Sequence, residues 1–165
     1  MGYFDLPEVN VAIFAFLLNF PWEFLQVPFF EGMPGMPHWD AVLFCTRAAV
    51  GDVGIALVAF WGVAGVAGTR SWLLYPTFRQ GFGFVAAGLA ITLAFEWLAI
   101  EVWDRWEYAD AMPTLPVIGT GALPILQWLL LPPVVIWFAG RQIRGGLRSS
   151  PDGHVRPAGP TSEGG

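Results

Sequence analysis

Apolar residues gather in four long stretches, at about residues 9–30, 41–68, 80–103 and 117–139, parted by shorter segments rich in Pro, Gly and charge. Each is at least as long as the ~20 residues an α-helix needs to cross a ~30 Å hydrocarbon layer, which predicts four transmembrane helices. Pro21 and Pro28 interrupt the first stretch, and Pro124, Pro132 and Pro133 the fourth. Each removes a backbone donor, so kinks are expected in these two helices. The predicted fold is an all-α integral membrane protein, a four-transmembrane-helix bundle over residues 1–140. Residues 141–165 hold too little apolar content to fold alone and are expected to form a disordered cytoplasmic tail.

Charge in the connecting segments orients the bundle. The link 69–79 carries Arg70 and Arg79, and the tail carries Arg141, Arg144 and Arg148, whereas the links 31–40 and 104–116 hold five acidic residues against Arg105 alone. The positive-inside rule then places both termini in the cytoplasm, in a bacterial-type inner membrane. Residues 1–10 contain no Lys or Arg, so the first span is expected to be retained rather than cleaved as a signal peptide. Composition agrees, because 55% hydrophobic residues, 13% charged residues and a mean hydropathy of +0.55 do not suit a soluble domain. The 9 Trp and 14 Phe fit aromatic flanks at the headgroups.

Several function classes are set aside by the same reading. The basic residues are all Arg and form no patch, which excludes a nucleic-acid partner. The single Cys45 offers neither a disulfide framework nor a Cys-rich metal motif, and reads as a packing residue. His38 is the only His before the tail, so a histidine-rich metal site is not expected. No phosphate loop, dinucleotide fingerprint, nucleophile elbow or zinc-protease motif is present, and no cofactor is implied.

The informative positions are the ionisable groups inside the spans: Glu23 in the first, Arg47 and Asp52 in the second, and Glu96 in the third. Such residues are costly at membrane depth and mark functional sites by default. Asn19, Glu23 and Gln26 follow three- and four-residue spacings, so they form one polar stripe that must meet other helices or water. Arg47 and Asp52 lie about 140° apart around a helix and cannot pair with one another. Asp52 shares a face with the small residues Cys45, Ala48, Ala56 and Ala59, and Arg47 with Gly51 and Gly54. Val50, Val53, Leu57 and Phe60 are left as the expected lipid-facing side. At ~1.5 Å rise per residue, Glu23, Arg47 and Glu96 fall at similar depth, with Asn19, Asp52 and Gln127 about one turn deeper. These positions predict a polar site in the outer half of the bundle, with Arg47 paired to Glu23 or Glu96 and Asp52 near Asn19 or Gln127.

Three carboxylates face one cation at this depth, so at least one is expected to hold a proton unless a cation or cationic substrate compensates. A protonated carboxyl beside an ionised one suits general acid and base work. The expected catalytic residues are Glu23, Glu96 and Arg47, with Arg47 orienting the carboxylates or binding an anionic group. Asn19, Gln26, Asp52, Gln127, His38 and Trp22 are expected to bind substrate or to support those that do. The substrate would be lipid-soluble, an isoprenoid or a lipid entering from the bilayer. Two alternatives stand beside this reading: a small proton-coupled carrier, and a non-catalytic subunit of a membrane complex, with a homo-oligomer or partner subunit left open. Four spans with a carboxylate in the first resemble small multidrug transporters in topology, although the local motifs differ. Lesser signals are an i,i+4 pair of Glu101 with Arg105, the anchor-like or gating Trp106 and Tyr108, and a small-residue stripe of Ala86, Ala90 and Ala94.

Overall fold

The structure, a computed structural model, describes residues 5–116 and 119–148. Helix α1 spans Pro7–Gln26, α2 His38–Ala67, α3 Phe78–Trp97 and α4 Ala122–Arg148. All four are long and apolar enough to cross a membrane. Local chemistry sets several of their ends. Pro7 opens α1, where a missing N–H costs nothing, and Glu8 lies in its positively polarised first turn. α2 stops at Gly68, whose left-handed φ of 68° favours glycine. A capping box of Thr77 and Gln80 starts α3. That helix widens into a π turn over Leu98–Val102 before ending.

α4 departs from expectation at both ends. It begins at Ala122 rather than near residue 117, because the preceding segment closes on itself through Leu115 N–H to Thr120 O and Ala122 N–H to Pro113 O. It then continues past residue 139 to Arg148, and its register brings Arg144 to the Leu74 carbonyl, to which Arg144 Nη1 donates. The remainder of the expected tail, 149–165, lies outside the described residues.

Each helix packs on its chain neighbours, and α4 closes back on α1, so α1 and α3 lie diagonally opposed. One half of the bundle is filled with aromatic and aliphatic side chains. The 3₁₀ turn Arg70–Leu74 folds Trp72 and Leu73 inward, and Trp72 meets Phe60 at 5.6 Å and Phe84 at 6.0 Å between ring centroids. Phe60 is therefore core rather than lipid-facing, because the turn after α2 supplies a partner that periodicity within α2 does not reveal. At the same end Arg70 pairs with Glu8 at 2.9 Å.

The buried line of α3 is also not the expected alanine stripe. Ala90 and Ala94 are exposed, and Phe84, Gly88 and Thr92 turn inward. Gly88 is required by its neighbour: a Cβ there would stand 1.9 Å from Cζ3 of Trp128, whose indole fills the space. Gly140 plays a similar part, since a Cβ would lie 2.7 Å from the Leu73 carbonyl oxygen. Gly88→Ala is expected to destabilise the bundle by about 1–3 kcal/mol, read as a lowered unfolding midpoint in detergent. Gly54→Ala, which faces open space, should leave the midpoint unchanged or raise it.

Candidate functional site

Gln127, in the second turn of α4 and only 4% exposed, gathers the polar groups. Its Nε2 donates to Asn19 Oδ1 at 2.7 Å, Asp52 Oδ2 at 2.9 Å and Glu23 Oε1 at 3.2 Å. Its Oε1 accepts from Gln26 Nε2 at 2.7 Å. Asn19 in turn donates to the Ala15 carbonyl at 2.8 Å, which fixes which way its amide points. An amide nitrogen carries two hydrogens, so three acceptors share them, and Glu23 and Asp52 are not both fully satisfied by the protein. These two carboxyls stand close enough to interact directly, with Glu96 within electrostatic range of both.

A cavity of about 320 Å³ opens beside this cluster and takes residues from all four helices. Glu23 and Gln26 of α1, Asp52 of α2, Thr92 and Glu96 of α3 and Gln127 of α4 form its polar part. Ala48, Gly51 and Ile55 of α2 and Phe95 of α3 add a less polar wall. A separate void of about 10 Å³ lies among Asn19, Gln127, Trp128 and Phe84.

Two connecting segments roof the cavity, and backbone pairing clasps them together. Phe30 and Tyr108 form an isolated antiparallel bridge, flanked by Glu31 N–H to Glu107 O at 2.9 Å and Ala109 N–H to Phe29 O at 3.0 Å. The Phe30 ring lies 5.6 Å from Tyr108 and 6.4 Å from Trp106. The Tyr108 hydroxyl then donates to Glu96 Oε2 at 2.5 Å. Burial first, and then the Glu96 carboxylate, raise the Tyr108 phenol above its ordinary range. The Trp106 indole faces the same carboxyl, but its Nε1 is buried without a hydrogen bond of good geometry.

Of the residues expected at the site, Glu23, Gln26, Arg47, Asp52, Glu96 and Gln127 line the cavity, and Asn19 joins through Gln127. Trp22 and His38 do not line it. His38 is exposed beside Trp39, and Trp22 is half-buried on α1. Asp52 lies near both Asn19 and Gln127, through their shared hydrogen bonds. Arg47 makes no ion pair among the described residues. The residue is exposed and lines the cavity, with neither Glu23 nor Glu96 within salt-bridge distance. Glu101 and Arg105 also do not pair, because the π turn and the left-handed Asp104, with φ of 49°, break the helical spacing between them. Arg105 instead reaches the cavity rim, its guanidinium 5.7 Å from the Trp106 ring centroid.

Thr92 and the inward role of Tyr108 are the site residues that sequence reasoning missed. Thr92 lies four residues before Glu96 and four after Gly88, a spacing that could have found it. No local signal marks Tyr108, since its position depends on pairing with a segment far away in the chain. Among the described residues, no three His, Cys, Asp or Glu side chains are grouped to hold a metal ion. Comparison with protein-family models, curated proteins and solved structures gives no match to this chain.

Gln127→Leu should cost roughly 3 kcal/mol, because it leaves the Gln26 donor and the Asn19, Glu23 and Asp52 acceptors without their shared partner. Denaturant unfolding in detergent measures this. For Tyr108, a difference spectrum between wild type and Tyr108→Phe is expected to show no tyrosinate near pH 10, the ordinary tyrosine value. A phenol that ionises later in the folded state than in the unfolded state stabilises the fold below about pH 10 and loses that effect as pH rises through its folded value. Wild type should therefore lose stability over this alkaline range more steeply than Tyr108→Phe.

Proposed function

We propose that this chain is an integral protein of a bacterial-type inner membrane that binds a lipid-soluble substrate, a lipid or isoprenoid, and transfers protons on it. The cavity carries the reading: about 320 Å³ in volume, it has three carboxyl groups on its inner surface and an apolar wall between α2 and α3. Its size lies at the low end of the about 300–1,000 Å³ usual for small-molecule sites. Phe95 lines that wall and is also half exposed on the outside of the bundle, which suits lateral access from a bilayer. Leu17, Val58, Phe82 and Trp137 are likewise exposed on the outside of the bundle, and so many outward apolar side chains favour a lipid surround.

The Arg-rich end lies opposite the clasped roof, so the positive-inside rule puts both termini in the cytoplasm and the cavity in the outer half. Bends at Pro21, Pro132 and Pro133 belong to this reading, as places where α1 and α4 give room to the site. The Glu23 and Asp52 carboxyls can hold a proton between them and pass it to the substrate, while Glu96 takes one back. The proton count of the cavity then stays constant. Arg47 would orient an anionic group of the substrate, with Asn19 and Gln127 holding the carboxyls in place. A proton-coupled carrier fits less well, because its solute would have to pass the aromatic plug of Phe60, Trp72 and Phe84.

Native mass spectrometry of gently extracted protein tests the proposal. Wild type is expected to retain a lipid-soluble ligand that Glu23→Gln and Arg47→Gln lose while keeping the wild-type unfolding midpoint. Wild-type protein that carries no such ligand would overturn it.

A further inference from the structure

Arg47 and Arg105 both line the cavity, both are exposed, and neither forms an ion pair among the described residues. The carboxyls that share the cavity have other partners. Glu96 accepts from the Tyr108 hydroxyl at 2.5 Å, and Glu23 and Asp52 bond to one another as well as to Gln127. Two cations therefore border one cavity, and no carboxylate among the described residues lies within salt-bridge distance of either. Arg47 and Asp52 are the only charged residues between Ala41 and Gly68, and an arginine on so apolar a helix is costly unless water or an anion meets it.

Arg105 reaches the cavity through an unusual stretch of backbone. The π turn Leu98–Val102 is followed by Asp104 at φ 49°, the one non-glycine residue with a left-handed φ among those described. Side chains disfavour that region, and strained backbone concentrates where it positions functional groups. The Arg105 N–H then closes the turn on Ala99 O at 2.9 Å. A regular helix would leave Arg105 one turn beyond Glu101, where the two charges could pair. The turn instead sets its guanidinium 5.7 Å from the ring centroid of Trp106, which also lines the cavity. Phe44 adds a second ring to this part of the lining, 6.3 Å from Trp106 between centroids.

Resting on the lipid-binding reading above, we propose that Arg47 and Arg105 together bind a terminal phosphate on the lipid, a phosphomonoester or diphosphate head, and so select the substrate. A planar guanidinium takes two phosphate oxygens side by side. Two guanidiniums thus call for at least three oxygens, which a terminal phosphate offers and the internal phosphodiester of a common phospholipid, with two, does not. A terminal phosphate also carries a charge of about −1.5 to −2 near pH 7, which the two arginines balance. The carboxyls in the same cavity repel the phosphate, so it stays with the arginines, and the tail lies along Ile55 and Phe95.

The test is native mass spectrometry of purified full-length protein, delipidated in phosphate-free buffer and offered an equimolar mixture of phosphatidic acid, phosphatidylglycerol and phosphatidylcholine with identical acyl chains. Phosphatidic acid, the probe with a terminal phosphate, should be retained about tenfold over phosphatidylglycerol, the effect of one charge-assisted hydrogen bond, and further over phosphatidylcholine. Arg47→Gln and Arg105→Gln should each remove most of that preference without moving the unfolding midpoint, because both residues are exposed and make no ion pair. Arg105→Lys keeps the charge and loses the fork, so it should still favour both anionic lipids over phosphatidylcholine but no longer separate phosphatidic acid from phosphatidylglycerol. Equal retention of these two by wild type would overturn the terminal-phosphate assignment while leaving lipid binding in place, as would an unchanged preference in both Gln variants. Inorganic phosphate that displaces phosphatidic acid at equal concentration would mark a site for the free ion and overturn the lipid assignment. Retention of no lipid at all would overturn both this inference and the reading beneath it.

Discussion

The amide of Gln127 is the interaction around which the bundle is arranged. A buried polar atom is costly without a partner, and here one side chain serves four others from two helices. Those bonds fix the rotation of α4 against α1 and α2. The next residue, Trp128, fixes the remaining seam by laying its indole over Gly88 of α3. Adjacent positions on one helix thus set both faces of the packing, one by hydrogen bonding and the other by shape. A shift in the register of α4 would break both together.

The four helices were legible because hydropathy over some twenty residues is a strong signal. So was the convergence of Asn19, Glu23, Gln26, Asp52, Glu96 and Gln127, since polar groups on apolar helices have only the interior in which to find partners. Position is not legible where it depends on segments outside the helix. Phe60 falls on the outward face of α2 by periodicity alone, but Trp72 returns from the following turn to cover it. Glu101 and Arg105 have helical spacing in the sequence, and the π turn removes it. Arg47 lines the same cavity as Glu23 and Glu96, yet a long side chain can reach away from both, and position along a helix does not choose its partner.

The bundle divides along its axis into two halves with different physics. Around Phe60, Trp72 and Phe84 the space is filled, and large rings meet small residues from neighbouring helices. Past Asn19 the packing gives way to a cavity that is polar within and apolar along one wall. The filled half supplies apolar packing between the four helices, while in the other half Asn19, Glu23 and Asp52 share the two hydrogens of one amide. Acceptors short of donors would be a defect in a packed core, whereas beside a cavity they suit the binding role proposed above.

Tyr108 joins the roof to the cavity. Its ring packs on Phe30, its backbone takes part in the clasp between the two roofing segments, and its hydroxyl reaches Glu96. The phenol occupies only Oε2, and a carboxylate has a second oxygen. A donor approaching from the cavity can therefore share Glu96 with Tyr108 or displace it, and the two outcomes differ in what they do to the roof. Sharing would place the ligand and the clasp on one carboxylate. Displacement frees the phenol and leaves the clasp to its backbone bonds and ring contacts alone. Under the proposed lipid-binding reading, Glu96 would thus link occupancy of the cavity to the clasp through one side chain.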